Sequence, residues 1–225
     1  MKRITMISLS ACALLAAAAQ AYSQTVTVDP GTMTLGYMNW SPIATDAPGY
    51  GGSGSSAWGL SDLQASFSGT TLTVSPNINC YNASSSYWVN ADGSGANTMD
   101  ANVYNETTGT YVNTTLTFQY DVLADTLVSP YYSVAFIKDF ASDYSSFTSV
   151  TAPLTTLGEA SLSLPTGGAG DHIQYGFETF GPDANPATAA QLGSAEIAAV
   201  AVPEPASFAL LGMGLLGALI WRRKA

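Results

Sequence analysis

The chain has 225 residues, with 16 acids against six lysines and arginines, one histidine and two cysteines. A formal charge of −10 at pH 7 excludes a nucleic-acid-binding role, because an anionic surface repels a polyanion. Two cysteines exclude a disulfide-framed miniature fold, and one histidine excludes a histidine-built metal centre.

Met1-Lys2-Arg3 is a short basic start and Ile4 to Ala19 an apolar run. Ala19-Gln20-Ala21 then places small residues, Ala19 and Ala21, where a signal peptidase reads them. Residues 1–21 are read as a signal peptide, so the mature chain is expected to start at Tyr22. Leu9-Ser10-Ala11-Cys12 offers a rival lipobox cleavage, but Cys12 lies inside the apolar run rather than at its end. With Cys12 removed, Cys80 stands alone and no intramolecular disulfide forms. Between Tyr22 and Val202, Lys138 is the one cation against fifteen acids, a formal charge of −14. That balance suits neutral sugars, cations, or solubility outside the cell.

Residues 22–200 are expected to form one all-β domain. Strands are predicted in "TVTVD" from Thr25, "LTV" from Leu72, "ANVYN" from Ala101, "TLTFQYDVL" from Thr115 and "YYSVAFI" from Tyr131. Further along come "ASLSL" from Ala160, "HIQYGFETF" from His172 and "AEIAAVAV" from Ala195. Leu116, Phe118, Tyr120 and Val122 alternate with Thr115, Thr117, Gln119 and Asp121, the period of a sheet with one face on a core and one in water. Asp183 to Gly193 is the one plausible helical turn. Eight or nine strands, spaced by loops and free of any internal repeat, predict a single jelly-roll-type β-sandwich.

Sugar rings stack on aromatic faces, and their hydroxyls pair with amides and carboxylates. Tyr87 and Trp88 beside Asn90, in a Gly/Ser-rich segment, are therefore the leading carbohydrate-binding candidates, with Tyr144 and Asn185 on other loops. The bland alternative is that Trp88 is a core aromatic, as Trp40 and Trp58 are expected to be. Asp92, Asn97 and Asp100 offer oxygens for a structural calcium ion, although Ala96, Asn97 and Val103 break the EF-hand pattern that begins at Asp92. Glu106, Glu159 and Glu178 supply carboxylates, but no spacing pairs them for acid–base work on a glycosidic bond. "NINCYNAS" around Cys80 does not resemble a cysteine-protease signature for His172 to serve.

The chain ends in "VPEPASFALLGMGLLGALIWRRKA". Two prolines around one glutamate hold the backbone out of helix and ladder, and an apolar run then meets three cations that stop a chain on the cytoplasmic side of a bilayer. Ala206 to Trp221, as a helix, spans only about 24 Å, at the low limit for a bilayer core. Gly212 to Gly217 matches G-x-G-x-x-G but follows no strand, so a dinucleotide site is rejected. The tripartite ending resembles the PEP-CTERM sorting signal of Gram-negative bacteria. That resemblance implies Pro203, Glu204 and Pro205 as recognition motif, Ala206 to Trp221 as membrane segment, and Arg222, Arg223 and Lys224 as basic stop. It further implies an exosortase as partner in the inner membrane, cleavage near the motif, and delivery to the cell surface or the exopolysaccharide matrix.

"YNASSSYWVNADGSGANTMDANVY", "VAFIKDFASDYSSF" and "IQYGFETFGPDANPA" resemble the galactose-binding-like jelly roll, which implies a sugar-binding module. The expected protein is therefore an exported, non-catalytic surface or matrix protein that binds carbohydrate. A polysaccharide lyase or hydrolase, or a plain tail-anchored structural protein, are the alternatives.

Overall fold

The computed structural model describes residues 23–43 and 52–200. Twelve strands run through them. In order they are β1 (Ser23–Thr27), β2 (Leu35–Pro42), β3 (Gly54–Ala57), β4 (Ala65–Ser68), β5 (Thr71–Val74) and β6 (Asn97–Thr108). After these come β7 (Thr115–Asp125), β8 (Tyr132–Phe140), β9 (Phe147–Pro153), β10 (Gly158–Pro165), β11 (His172–Pro182) and β12 (Ala195–Ala198). The predicted signal peptide and membrane segment, and the sorting motif, lie outside the described residues.

Alternation in β7 organises the first sheet. Leu116, Phe118, Tyr120 and Val122 are buried while the residues between them are half-exposed. β10 pairs antiparallel along one edge of β7. On the other edge, β1 pairs parallel with Thr115 to Gln119, and β12 pairs antiparallel with Asp121 to Asp125. β5 and β4 extend that side. The second sheet has the order β3-β2-β6-β11-β8-β9, antiparallel throughout.

The core lies between the sheets. Phe118 packs on Phe177 and Tyr175 at ring-centroid distances of 5.3 and 5.2 Å, and Tyr120 meets Phe177 edge-on at 5.6 Å. Edge-to-face and tilted contacts of this kind add to area burial. The two sheets form a jelly-roll-like sandwich.

All eight predicted strands are present, and four more accompany them. β2, β3, β4 and β9 escape a sequence reading because β3, β4 and β9 are sheet edges, short or rich in Ser and Thr, and β2 carries Gly36 and Asn39. Such composition is how edge strands avoid pairing with other chains. The predicted turn over Asp183 to Gly193 shrinks to a 3-10 turn, Ala189–Gln191.

Candidate functional site

The outer face of the second sheet is not an ordinary wet surface. Its register brings Asn39, Asp100, Phe180 and Tyr132 into one row across β2, β6, β11 and β8, with Asn102 and Glu178 in the next. Asn39 donates to Asp100 Oδ2 at 3.0 Å, and Asn102 donates to Asp100 Oδ1 at 2.7 Å. Lys138 donates to Asn102 Oδ1 at 3.1 Å and forms an ion pair with Glu178. Its Nζ also lies 4.4 Å from the centre of the Phe136 ring, a cation–π contact. Five polar side chains on four strands thus form one network. Burial and the nearby Glu178 charge push Asp100 up to about 6.

Beside this network lies a cleft of about 480 Å³, lined by the outward Asn39, Ser41, Ser53, Ser55, Thr98 and Asp100, with Phe180 as its aromatic wall and backbone of Trp40 and Gly54 between them. Phe180 is held by parallel stacking on Tyr132, with ring centroids 5.0 Å apart and planes 17° from parallel. The Trp40 ring lies on the other, inner face, opposite the buried Met99 and over Gly54 on β3. A Cβ at Gly54 would fall 2.3 Å from the indole Cζ2, so only glycine lets the ring lie there.

The sequence candidates fall in three places. Tyr87 and Trp88 stand behind Trp40: Trp40 Nε1 donates to the Tyr87 hydroxyl at 2.8 Å, and the Trp40 and Trp88 rings are 6.0 Å apart. Tyr87 in turn donates to the Gly52 carbonyl. Trp40, Trp58 and Trp88 are all partly buried against the core. Asn90 donates to Ser94 and Gly95 within its own turn, and Asn185 donates to Tyr81. Tyr144 sits at the far end of the same outer face, stacked on His172 at 4.2 Å and donating to Glu106. None of these five residues lines the cleft.

The calcium candidates do not converge. Asn97 and Asp100 are three residues apart in β6 and so face opposite sides of the sheet. Asp92 is exposed and accepts from Ser94, which holds its carboxyl below the usual range. Cys80 and His172 are also apart: Cys80 lies near Asp183, just beyond the end of β11, whereas His172 opens that strand and contacts Thr108. Burial, then the Asp183 charge, pushes the Cys80 thiol up to about 12, so it is not a ready nucleophile.

Sequence reasoning missed Asn39 and Phe180. The signal that could have found them is the run of polar residues at outward positions of β6, Thr98, Asp100 and Asn102, in a strand otherwise rich in core residues.

Comparison with protein families decides the ending. A family model of the PEP-CTERM protein-sorting motif matches residues 201–224. The chain carries a PEP-CTERM sorting motif. With it, the protein is an exported one, sorted at a membrane and processed by an exosortase. The PEP-CTERM match lies wholly beyond the sandwich and speaks to destination, not to the cleft. No curated protein matches the chain.

Proposed function

We propose that this PEP-CTERM protein is a non-catalytic surface or matrix component that binds a neutral polysaccharide in the cleft on its second sheet. The observation that carries the reading is the pairing of an aromatic wall, Phe180 backed by Tyr132, with a floor of amide, hydroxyl and carboxylate groups. Aromatic faces take the apolar side of a sugar ring, and Asn39, Asp100, Ser41, Ser55 and Thr98 match its hydroxyls. The excess of acids disfavours anionic polymers. The predicted likeness to galactose-binding-like jelly rolls points the same way, and a sorting route to the exopolysaccharide of a Gram-negative cell would supply the ligand.

A hydrolase is the second reading, because Asp100 titrates near 6, within the range of a general acid. Against it, Asp100 is the one carboxylate among the residues lining the cleft, while Glu178 is held by Lys138. Glycosidic cleavage of the usual kind needs two carboxylates facing one bond.

Affinity electrophoresis of the purified chain in gels cast with neutral or acidic polysaccharides tests both readings, alongside a reducing-end assay on the same polymers. Retardation by a neutral polymer is expected, at least 10-fold weaker in Phe180→Ala, with no reducing ends released. Release of reducing ends that vanishes in Asp100→Asn would establish the hydrolase instead, and no retardation by any polymer would reject the binding reading.

A further inference from the structure

At the end of the sandwich, away from the cleft floor, two buried side chains face each other with oxygens that nothing satisfies. The β6–β11 ladder runs through Gly181 opposite Met99 and Pro182 opposite Thr98. One step further, Asp183 stands opposite Asn97, and its backbone N–H donates to the Asn97 carbonyl at 2.9 Å. Directly opposed residues project from the same face with Cβ atoms about 4.5–5.5 Å apart. That face is the inner one, shared with Met99 and Ala101 on β6, and Asn97 is 0% and Asp183 1% exposed.

Neither carboxylate oxygen of Asp183 accepts a hydrogen bond, nor does Asn97 Oδ1. The amide orientation of Asn97 is fixed by chemistry, since its other terminal atom lies 2.6 Å from the Tyr87 carbonyl and must therefore be the N–H donor. Three buried acceptor oxygens without a donor thus come from two residues opposed on one face. Lys138 is the sole Lys or Arg among the described residues, and it is spent on Glu178 and Asn102 on the opposite face of the sheet. Buried charge without a partner is strongly disfavoured. Burial alone pushes the Asp183 carboxyl up to about 7.

We propose that Asp183 and Asn97 hold a buried calcium ion. Calcium takes six to eight oxygens at about 2.3–2.6 Å without demanding a rigid geometry, so one ion fits between two facing side chains, with backbone carbonyls and water completing its shell. Magnesium is a poorer match, because it keeps its water and needs a near-ideal octahedron. Thiophilic metals are disfavoured as well: the neighbouring Cys80 holds its proton, and no second soft ligand is near among the described residues.

Backbone packs closely around the site. A Cβ on Gly95 would lie 2.1 Å from the Asp183 carbonyl oxygen, so the glycine lets the 90–95 loop close against it.

The test uses the full chain purified in detergent, dialysed against EDTA and then titrated with calcium chloride. Thermal unfolding and metal content by plasma mass spectrometry are the readouts. Wild type should regain about one calcium per chain, and its midpoint should rise by about 5–10 °C at 100-fold excess over Kd. Asp183→Asn should lose both effects, whereas Asp92→Asn, an equal change of charge in an exposed turn, should keep them. A wild-type chain that neither binds calcium nor shifts its midpoint overturns the site whatever the variants do. So does an Asp183→Asn chain that titrates like wild type.

Discussion

Replacing Lys138 with Met removes the counter-charge of Glu178 while keeping an unbranched apolar stem of similar length in place. Glu178 is 5% exposed, so its carboxylate cannot recover the lost partner from water. Breaking a buried ion pair from one side typically costs 3–5 kcal/mol. Two further losses come with it: Asn102 Oδ1, in a residue 3% exposed, loses its donor, and the contact with the Phe136 ring disappears. An unsatisfied buried acceptor costs about 1–3 kcal/mol. These effects overlap in one network, so the expected total is about 4–5 kcal/mol, a large share of the 5–15 kcal/mol that stabilises an ordinary domain.

Urea unfolding followed by tryptophan fluorescence measures the loss as a drop in midpoint at unchanged slope. Lys138→Met/Glu178→Met should regain most of it, because an apolar pair of similar volume replaces a desolvated ion pair nearly neutrally. A single variant that loses less than about 1 kcal/mol, or a double variant as unstable as the single, would refute the claim that burial controls this pair.

Asp100 gives the face a pH signature. Its folded value of about 6 lies above the ordinary 3.8, so the folded chain holds a proton that the unfolded chain releases. The contribution is complete below pH 4 and is lost as pH rises through 6; Asp100→Asn should flatten that fall by up to about 3 kcal/mol in urea titrations across the window. Gly54→Ala should displace the Trp40 indole from its place against the core and lower stability in urea by about 1–3 kcal/mol; an unchanged midpoint would show that the ring yields without cost. Glu204→Ala leaves the apolar span and the basic stop intact, yet should leave the protein full-length in the membrane fraction, read by mass analysis of its C-terminus. A wild-type chain that keeps Ala225 in the membrane fraction, as Glu204→Ala is expected to, would contradict processing at the motif.

Much of the fold was legible because burial writes itself into alternation. Leu116 to Val122 had to sit in a half-buried strand, since every second residue is apolar, and the structure buries those four residues. The edge strands β3, β4 and β9 carried no such mark, because an edge gains little from apolar residues and is protected by polar ones. The ending was readable without any fold, since Pro203-Glu204-Pro205, the apolar run and the basic tail are contiguous, and the family match rests on those residues.

The cleft was different in kind. Asn39, Asp100 and Phe180 come from β2, β6 and β11, and only strand register sets them side by side. Local reading chose Tyr87 and Trp88 because they are adjacent aromatics in a polar segment, and it could not see that they stand behind Trp40. It likewise grouped Asn97 with Asp100, which a two-residue period sends to opposite faces, and missed Asp183, which lies 86 residues away yet opposite Asn97 on the ladder. Sequence by itself determined the alternating strands of the core and the sorting motif at the end of the chain, because both depend on neighbours along the chain. Which side chains share a site was decided by tertiary structure alone, since pairing across strands joins residues that have no relation in sequence.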